Sequence, residues 1–173
     1  YVKIQKRNPD ICVPEHQKLM VKDTIWGEMS YLEYKRKLEF DENQVVELIQ
    51  YSNNLGIELF ASVWDIDSAM LMSKHTKIAK IPSAMITNLE LCEFARAKFD
   101  TLIISTGMSS EEEISMCVKC CRPDVIMHTN STYPCPVKEL NLNYITHLNN
   151  LYGQQSEIGY SGHEYGLVTT FAT

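Results

Sequence analysis

Short apolar, β-branched runs alternate along this chain with longer stretches of helical spacing. The runs cover 2–5, 57–62, 77–81, 101–105, 125–128 and 157–160. Each is short enough for a strand and is bounded by turn or cap residues. The helices between them are marked at their starts. Ser30 with Glu33, Thr87 with Glu90 and Ser109 with Glu112 match S/T-x-x-E. In that pattern the hydroxyl and the carboxylate each satisfy one free backbone N–H. Asp41 with Gln44 is a weaker form of the signal, opening a helix that Gly56 ends. Residues 141–152 have helical apolar spacing and end at Gly153. The segment 8–29, with Pro9, Pro14 and Gly27, reads as a functional loop.

Alternating strands and helices imply parallel strands joined by crossover helices, an α/β fold. Two architectures meet that description, an open doubly wound sheet and a (β/α)8 TIM barrel. No glycine-rich dinucleotide fingerprint follows any strand, which disfavours the first. The barrel makes a sharper demand, that chemistry gather just beyond the C-terminal end of strand after strand. The strand exits hold Lys3 and Gln5, Ser62 to Asp65, Lys80 to Ser83, Ser105 to Gly107, His128 to Tyr133, and Tyr160 to His163. Six polar exits in register describe the rim of one pocket. A complete barrel takes about 250 residues, and this chain has 173. Only six strands are visible, so residues 1–173 read as one partial barrel domain, lacking the first and last βα units.

Composition narrows the function. Apolar residues make up 45% of the chain, enough for a core, and the net charge is -6. With no basic block to offset that charge, a nucleic-acid partner is excluded. No apolar run approaches the ~20 residues of a membrane span and no signal peptide opens the chain, so no membrane partner and a cytoplasmic location are expected. Of the six cysteines, Cys117 and Cys120 form a CxxC. No second CxxC or CxxH completes a four-ligand set, so free thiols in a reducing compartment are expected.

Rim chemistry points to a small polyanion. Lys3 and Lys80 supply point charge, while Ser62, Ser83, Ser105 and Ser161 supply short directional hydrogen bonds. His163, beside Gly162, is the metal candidate, although on composition alone a hydrogen-bonded rim histidine is the simpler reading. His128, at the end of an apolar strand, is expected to orient the neighbouring loop. Trp26 and Trp64 could stack on a sugar or pack a loop base. No Ser-His-Asp set, HExxH or phosphate loop is present.

Taken together, "VKIQKR", "WGEMSYLEYKRKLEF", "FASVWD", "KIPSAMITN", "IISTGMSSEEEI", "MHTNSTYPCPVKELNL" and "IGYSGHEYG" resemble the sialic acid (N-acetylneuraminate) synthase family. The seven stretches fall in family order and span nearly the whole chain. The resemblance implies a TIM barrel of which this chain holds about strands two to seven. A C-terminal antifreeze-like domain, absent from this chain, would complete a homodimer. It also implies a reaction in which phosphoenolpyruvate condenses with an N-acyl amino sugar, such as N-acetylmannosamine, and phosphate is released. The cofactor implied is a divalent metal, manganese with magnesium as the alternative.

By the same resemblance Lys3, Ser62, Lys80, Ser83, Ser105 and Ser161 meet phosphoenolpyruvate, Gln5 and Tyr133 meet the sugar, and His163 meets the metal. Lys3, Lys80 and Tyr133 are the candidate catalytic residues. Two positions depart from the family pattern. Met85 stands where well-known members carry Glu or Asp, and a thioether cannot shuttle a proton. Ser131 stands where some members place an asparagine against the sugar. Both changes fall on the acceptor side, so the acceptor is left open among N-acetylmannosamine and the legionaminic and pseudaminic precursors. The alternative to a synthase is an inactive barrel remnant that binds an anion. A generic metal-dependent barrel hydrolase or lyase is disfavoured, because no carboxylate–histidine cluster is visible. The fragment alone, short of two strands, is expected not to turn over.

Overall fold

The computed structural model describes residues 1–173 and divides into two units, 1–76 and 77–173. Unit one runs β1 (Val2–Lys6), α1 (Pro9–Cys12), α2 (Glu15–Lys18), β2 (Val21–Thr24), β3 (Gly27–Ser30), α3 (Tyr31–Leu38), α4 (Glu42–Asn54), β4 (Leu59–Val63) and α5 (Ile66–Ser73). β1 and β4 pair in parallel, with Lys3 opposite Phe60 and Gln5 opposite Ser62. In a parallel pair, opposed residues share a face, so Lys3, Gln5 and Ser62 point one way. Ala61 and Val63 point the other way and are buried with Val45 of α4 and Met72 of α5. Burying a side chain the size of Val45 or Met72 contributes about 1.5–3 kcal/mol.

Two caps in unit one form as the sequence indicates. Ser30 and Glu33 make a reciprocal capping box on α3, and Asp41 and Gln44 make a second, complete one on α4. The segment read as a loop, by contrast, contains a hairpin. β2 and β3 pair antiparallel, and Thr24 Oγ1 donates to the Gly27 carbonyl and accepts from the Trp26 N–H across the turn. Gly27 sits at φ 92°, a conformation that glycine takes without a Cβ penalty.

The base of β4 is locked by Asp65. This carboxylate is 4% exposed and caps α5, accepting from Ser68 N at 2.7 Å and Ser68 Oγ at 2.9 Å. It also accepts from Asn8 N at 2.6 Å, which ties the exit of β1 to the exit of β4. Trp64 lies beneath the Arg7 guanidinium, 5.5 Å from its ring centroid, and Trp26 packs on Tyr34. Both tryptophans therefore have packing roles.

Unit two runs β5 (Ile78–Ile81), α6 (Leu89–Lys98), β6 (Thr101–Ser105), α7 (Glu111–Cys121), β7 (Val125–His128), α8 (Asn143–Tyr152), β8 (Glu157–Tyr160) and α9 (Val168–Ala172), with 3-10 turns at Ser83–Met85 and Val137–Glu139. Its four strands are parallel in the order β5-β6-β7-β8. One face carries Ala79, Ile81, Leu102, Ile104 and Ile126, all fully buried. The opposite face carries Lys80, Ile103, Ser105, Val125 and Met127, the register placing Lys80 beside Ile103 and Ser105 beside Met127. Apolar residues on that face are half-buried while its C-terminal end is polar.

The two capped helix starts read in this unit each lie one residue beyond the sequence reading. Ser110 with Glu113, rather than Ser109 with Glu112, makes the capping box of α7. Asn88 rather than Thr87 caps α6, accepting from the Leu91 N–H. A full-turn helix follows in each case, so the shift alters the cap and leaves the element intact.

Candidate active site

Chemistry in unit two collects where the strands end. Lys80, the third residue of β5, is 7% exposed and donates from Nζ to Ser161 Oγ at 3.0 Å, just past β8. An ammonium withdrawn this far from water loses hydration that an anionic partner restores. Ser105 closes β6 on the same face with its Oγ buried and unpartnered. Such a hydroxyl costs free energy unless something bonds to it.

Next to it, the 3-10 turn after β5 brings Ser83 Oγ to the Gly107 N–H, 3.0 Å away. A Cβ on Gly107 would stand 2.3 Å from Ser131 Oγ, 2.9 Å from Ser83 Oγ and 3.0 Å from the Thr129 carbonyl. Ser83, Ser131 and the backbone after β6 therefore meet at one point, and only glycine leaves room for them. The turn that holds Ser83 also holds the half-buried Met85.

A third group centres on His163. Its Nδ1 donates to the Asn130 carbonyl at 2.6 Å, which leaves Nε2 as the acceptor. Nε2 takes the Tyr133 hydroxyl at 2.6 Å, and the two rings stack with centroids 3.8 Å apart. Desolvation raises the Tyr133 pKa, so its hydroxyl keeps its proton and acts as a donor. The Tyr133–Pro134 peptide is cis.

The loop carrying Tyr133 walls a cavity of about 500 Å³ lined by Thr106, His128, Thr129, Asn130, Ser131, Asn141 and Tyr144. Its size is that of small-ligand pockets, and its lining offers hydroxyls, amides and an imidazole. His128 does orient the loop, its Nε2 lying 2.7 Å from the Leu140 carbonyl, while its Nδ1 is buried without a partner. Asn130 holds the same loop through Nδ2 to the Glu139 carbonyl at 2.8 Å and Oδ1 to the Thr132 N–H at 2.9 Å. The sequence reading gave no role to Asn141 or Tyr144 and held Gly107 and Asn130 only as members of strand exits. Their roles depend on backbone groups and loop closure, which residue type does not reveal.

In unit one, Lys3 and Gln5 stand on the exposed face of β1, and Ser62 lies buried opposite Gln5. Desolvation by its surroundings lowers the Lys3 pKa from the ordinary lysine value. The ten residues singled out thus fall into three in unit one and seven in unit two. Within unit two six of them form the pairs and triads just described, and Ser105 lies on the face of Lys80 with its Oγ unpartnered.

Comparison with known proteins bears on what such a rim serves. Residues 1–173 match the NeuB family along their whole length. The chain belongs to the NeuB family. It is 33% identical over 151 residues to the N,N'-diacetyllegionaminic acid synthase of Legionella pneumophila, covering 81% of this chain and 42% of the relative. To the human N-acetylneuraminate-9-phosphate synthase it is 32% identical over 152 residues, covering 85% and 42%. Among solved structures, the N-acetylneuraminic acid synthetase of Leptospira borgpetersenii superposes with a TM-score of 0.84 at 26% identity, over 96% of this chain and 55% of that one. The NeuB-family chain therefore spans about half the length of the relatives it matches, and its α/β architecture follows theirs.

Proposed function

We propose that the protein carrying this chain condenses phosphoenolpyruvate with an N-acyl amino sugar, forming a sialic-type nonulosonic acid and releasing phosphate. The observation that carries this reading is the buried Lys80 ammonium on Ser161, with Ser105 and the Ser83–Gly107 pair on the same rim, in a NeuB-family chain. Lysine and serines in that arrangement suit the phosphate and carboxylate of phosphoenolpyruvate. In unit one we assign Lys3 and Ser62 to the same substrate and Gln5 to the sugar. The 500 Å³ cavity, with Ser131 in its wall and Tyr133 beside it, is assigned to the acceptor.

In the reaction, C3 of phosphoenolpyruvate attacks the sugar aldehyde and a C–C bond forms. Water adds at C2, and the bond between C2 and the phosphate oxygen breaks, releasing phosphate. Lys80 balances charge on the phosphoenolpyruvate, and Ser83, Ser105 and Ser161 fix its orientation. Tyr133 orients the acceptor as a neutral hydrogen-bond donor.

The family also implies a divalent metal, manganese or magnesium. His163 fits one ligand position, because its Nδ1–H is held by the Asn130 carbonyl and its Nε2 lone pair, which accepts from the Tyr133 hydroxyl here, would turn to the ion and leave that hydroxyl to the acceptor. Such an ion, when bound, polarises the aldehyde carbonyl. Its remaining ligands are not gathered around His163 in this chain. We further assign the six parallel strands to strands two to seven of a closed (β/α)8 barrel, and the whole protein to a cytoplasmic homodimer. No helix here is long and apolar enough to cross a membrane.

A second reading, an anion-binding protein without turnover, is favoured by Met85, whose thioether stands two residues after Ser83 on the same turn. The test uses the whole protein. Phosphate release from phosphoenolpyruvate is assayed with N-acetylmannosamine and with the legionaminic and pseudaminic precursors, with and without manganese. The synthase reading expects metal-dependent release with one acceptor, falling roughly hundredfold in Lys80→Met. Phosphoenolpyruvate binding without release for any acceptor would replace it with the second reading.

A further inference from the structure

Three of the six cysteines meet at one point, where α6 packs on α7. Cys92 comes from α6 and Cys117 and Cys121 from α7, one helical turn apart, and all three are fully buried. Cys117 Sγ lies 3.7 Å from Cys92 Sγ and 3.8 Å from Cys121 Sγ. All three sulfurs fall within 4.8 Å of one another. Of the two residues in the CxxC, Cys117 is among them, while Cys120 bonds instead to the Leu89 carbonyl at 3.5 Å. Three thiolates around one ion, each about 2.3 Å from it, would stand roughly 4 Å apart. The sulfurs are therefore already spaced like ligands with the ion left out.

We propose that Cys92, Cys117 and Cys121 form a buried three-sulfur site for a soft monovalent cation of the copper(I) class. The donor set selects that class. All three ligands are sulfur, which favours soft ions. The other groups near Cys92 Sγ are the Met85 and Ile86 carbonyls, at 4.0 and 3.8 Å, too far and too hard to act as a fourth ligand. Zinc, which takes four ligands in structural sites, is not served by this set.

Each thiol that binds releases its proton to solvent. The path in is the end of α7. Cys121 is its last residue, followed by Arg122 in the left-handed region at φ 44°, and helix ends open more readily than helix centres. The proposal is independent of the synthase reading, since none of these sulfurs belongs to the rim.

The test titrates the reduced, whole protein anaerobically with copper(I) against bicinchoninate, with zinc in parallel. X-ray absorption at the copper edge then counts the ligands. We expect one tightly held copper(I) per chain with three sulfurs, Cys92, Cys117 and Cys121 protected from alkylation, and zinc bound far more weakly. Cys117→Ala, with an unchanged circular dichroism spectrum, should weaken binding roughly hundredfold, and Cys120→Ser should not. Absence of stoichiometric binding, fewer than three sulfurs, zinc binding as tightly as copper(I), or full affinity in Cys117→Ala would each overturn the proposal. Should Cys117→Ala fail to fold, the sulfur count and the alkylation pattern of the unaltered protein decide.

Discussion

Gly107 offers a quantitative check on the rim, because three oxygens surround the place where a side chain would begin. Alanine there puts a methyl 2.3 Å from Ser131 Oγ, 2.9 Å from Ser83 Oγ and 3.0 Å from the Thr129 carbonyl. Side-chain oxygens can rotate away; the Thr129 carbonyl, fixed in the backbone, cannot. Overpacking of this kind costs about 1–3 kcal/mol. Losing the bond from Gly107 N–H to Ser83 Oγ adds about 0.5–1.5 kcal/mol. Gly107→Ala should therefore destabilise the protein by about 1.5–4.5 kcal/mol in urea unfolding and raise the KM for phosphoenolpyruvate. Removing the nearest oxygen with Ser131→Ala should recover about 1 kcal/mol of the loss in the double variant, an interaction of the size seen between touching residues. The rescue should be partial, because the Thr129 carbonyl stays. A stability within about 0.5 kcal/mol of the unaltered protein, or strictly additive effects of the two substitutions, would refute the crowding argument.

Asp65→Ala removes an N-cap and leaves the Asn8 and Ser68 N–H groups without their acceptor, so unfolding free energy should fall by about 2–4 kcal/mol by denaturant titration. Asp124 illustrates pH dependence: desolvation would raise its pKa, but the Leu102 N–H and Arg96 outweigh it and hold the carboxyl below its ordinary value. Its ionised form then stabilises the fold above the ordinary carboxylate range and loses that contribution as pH falls through the depressed value. Asp124→Asn should thus be less stable at neutral pH, by under about 1 kcal/mol, with the gap closing in acid melts. Tyr133→Phe deletes the bond to His163 Nε2 at an exposed site, so we expect melting temperature nearly unchanged and the acceptor KM raised in the phosphate-release assay.

All six parallel strands were legible as short runs, with ends within two residues; in β4 to β7 one face is buried and the other largely covered, which leaves few polar interruptions. Caps were legible in kind and sometimes not in register. Ser109 and Ser110 precede three consecutive glutamates, so two capping boxes fit the letters and the backbone chose the later one. At α6 the letters offer a box at Thr87 with Glu90, yet Asn88 takes the cap without one. The β2–β3 hairpin was missed because its strands are four residues each and its turn, Ile25-Trp26, lacks the usual Asn-Gly signal. The polar rim was legible as residue types, and the bond from Lys80 to Ser161 joins two residues picked from opposite ends of unit two. The cysteine cluster was not legible, because the CxxC spacing pairs Cys117 with Cys120. On a helix the partners are Cys117 and Cys121, four apart, and the third comes from another helix.

The loop between His128 and Leu140 is clasped shut by its own ends. His128 bonds the Leu140 carbonyl, and Asn130 bonds the Glu139 carbonyl and the Thr132 N–H. The clasp joins the segment's ends, and His163, from the turn after β8, bonds Asn130, Tyr133 and Cys135 along its middle. Under the proposed assignment of this cavity to the acceptor, a change of acceptor would rewrite the segment together with the His163 turn while the strands and helices beneath stay fixed. Grafted into a relative, the segment would keep its geometry only if His163 came with it.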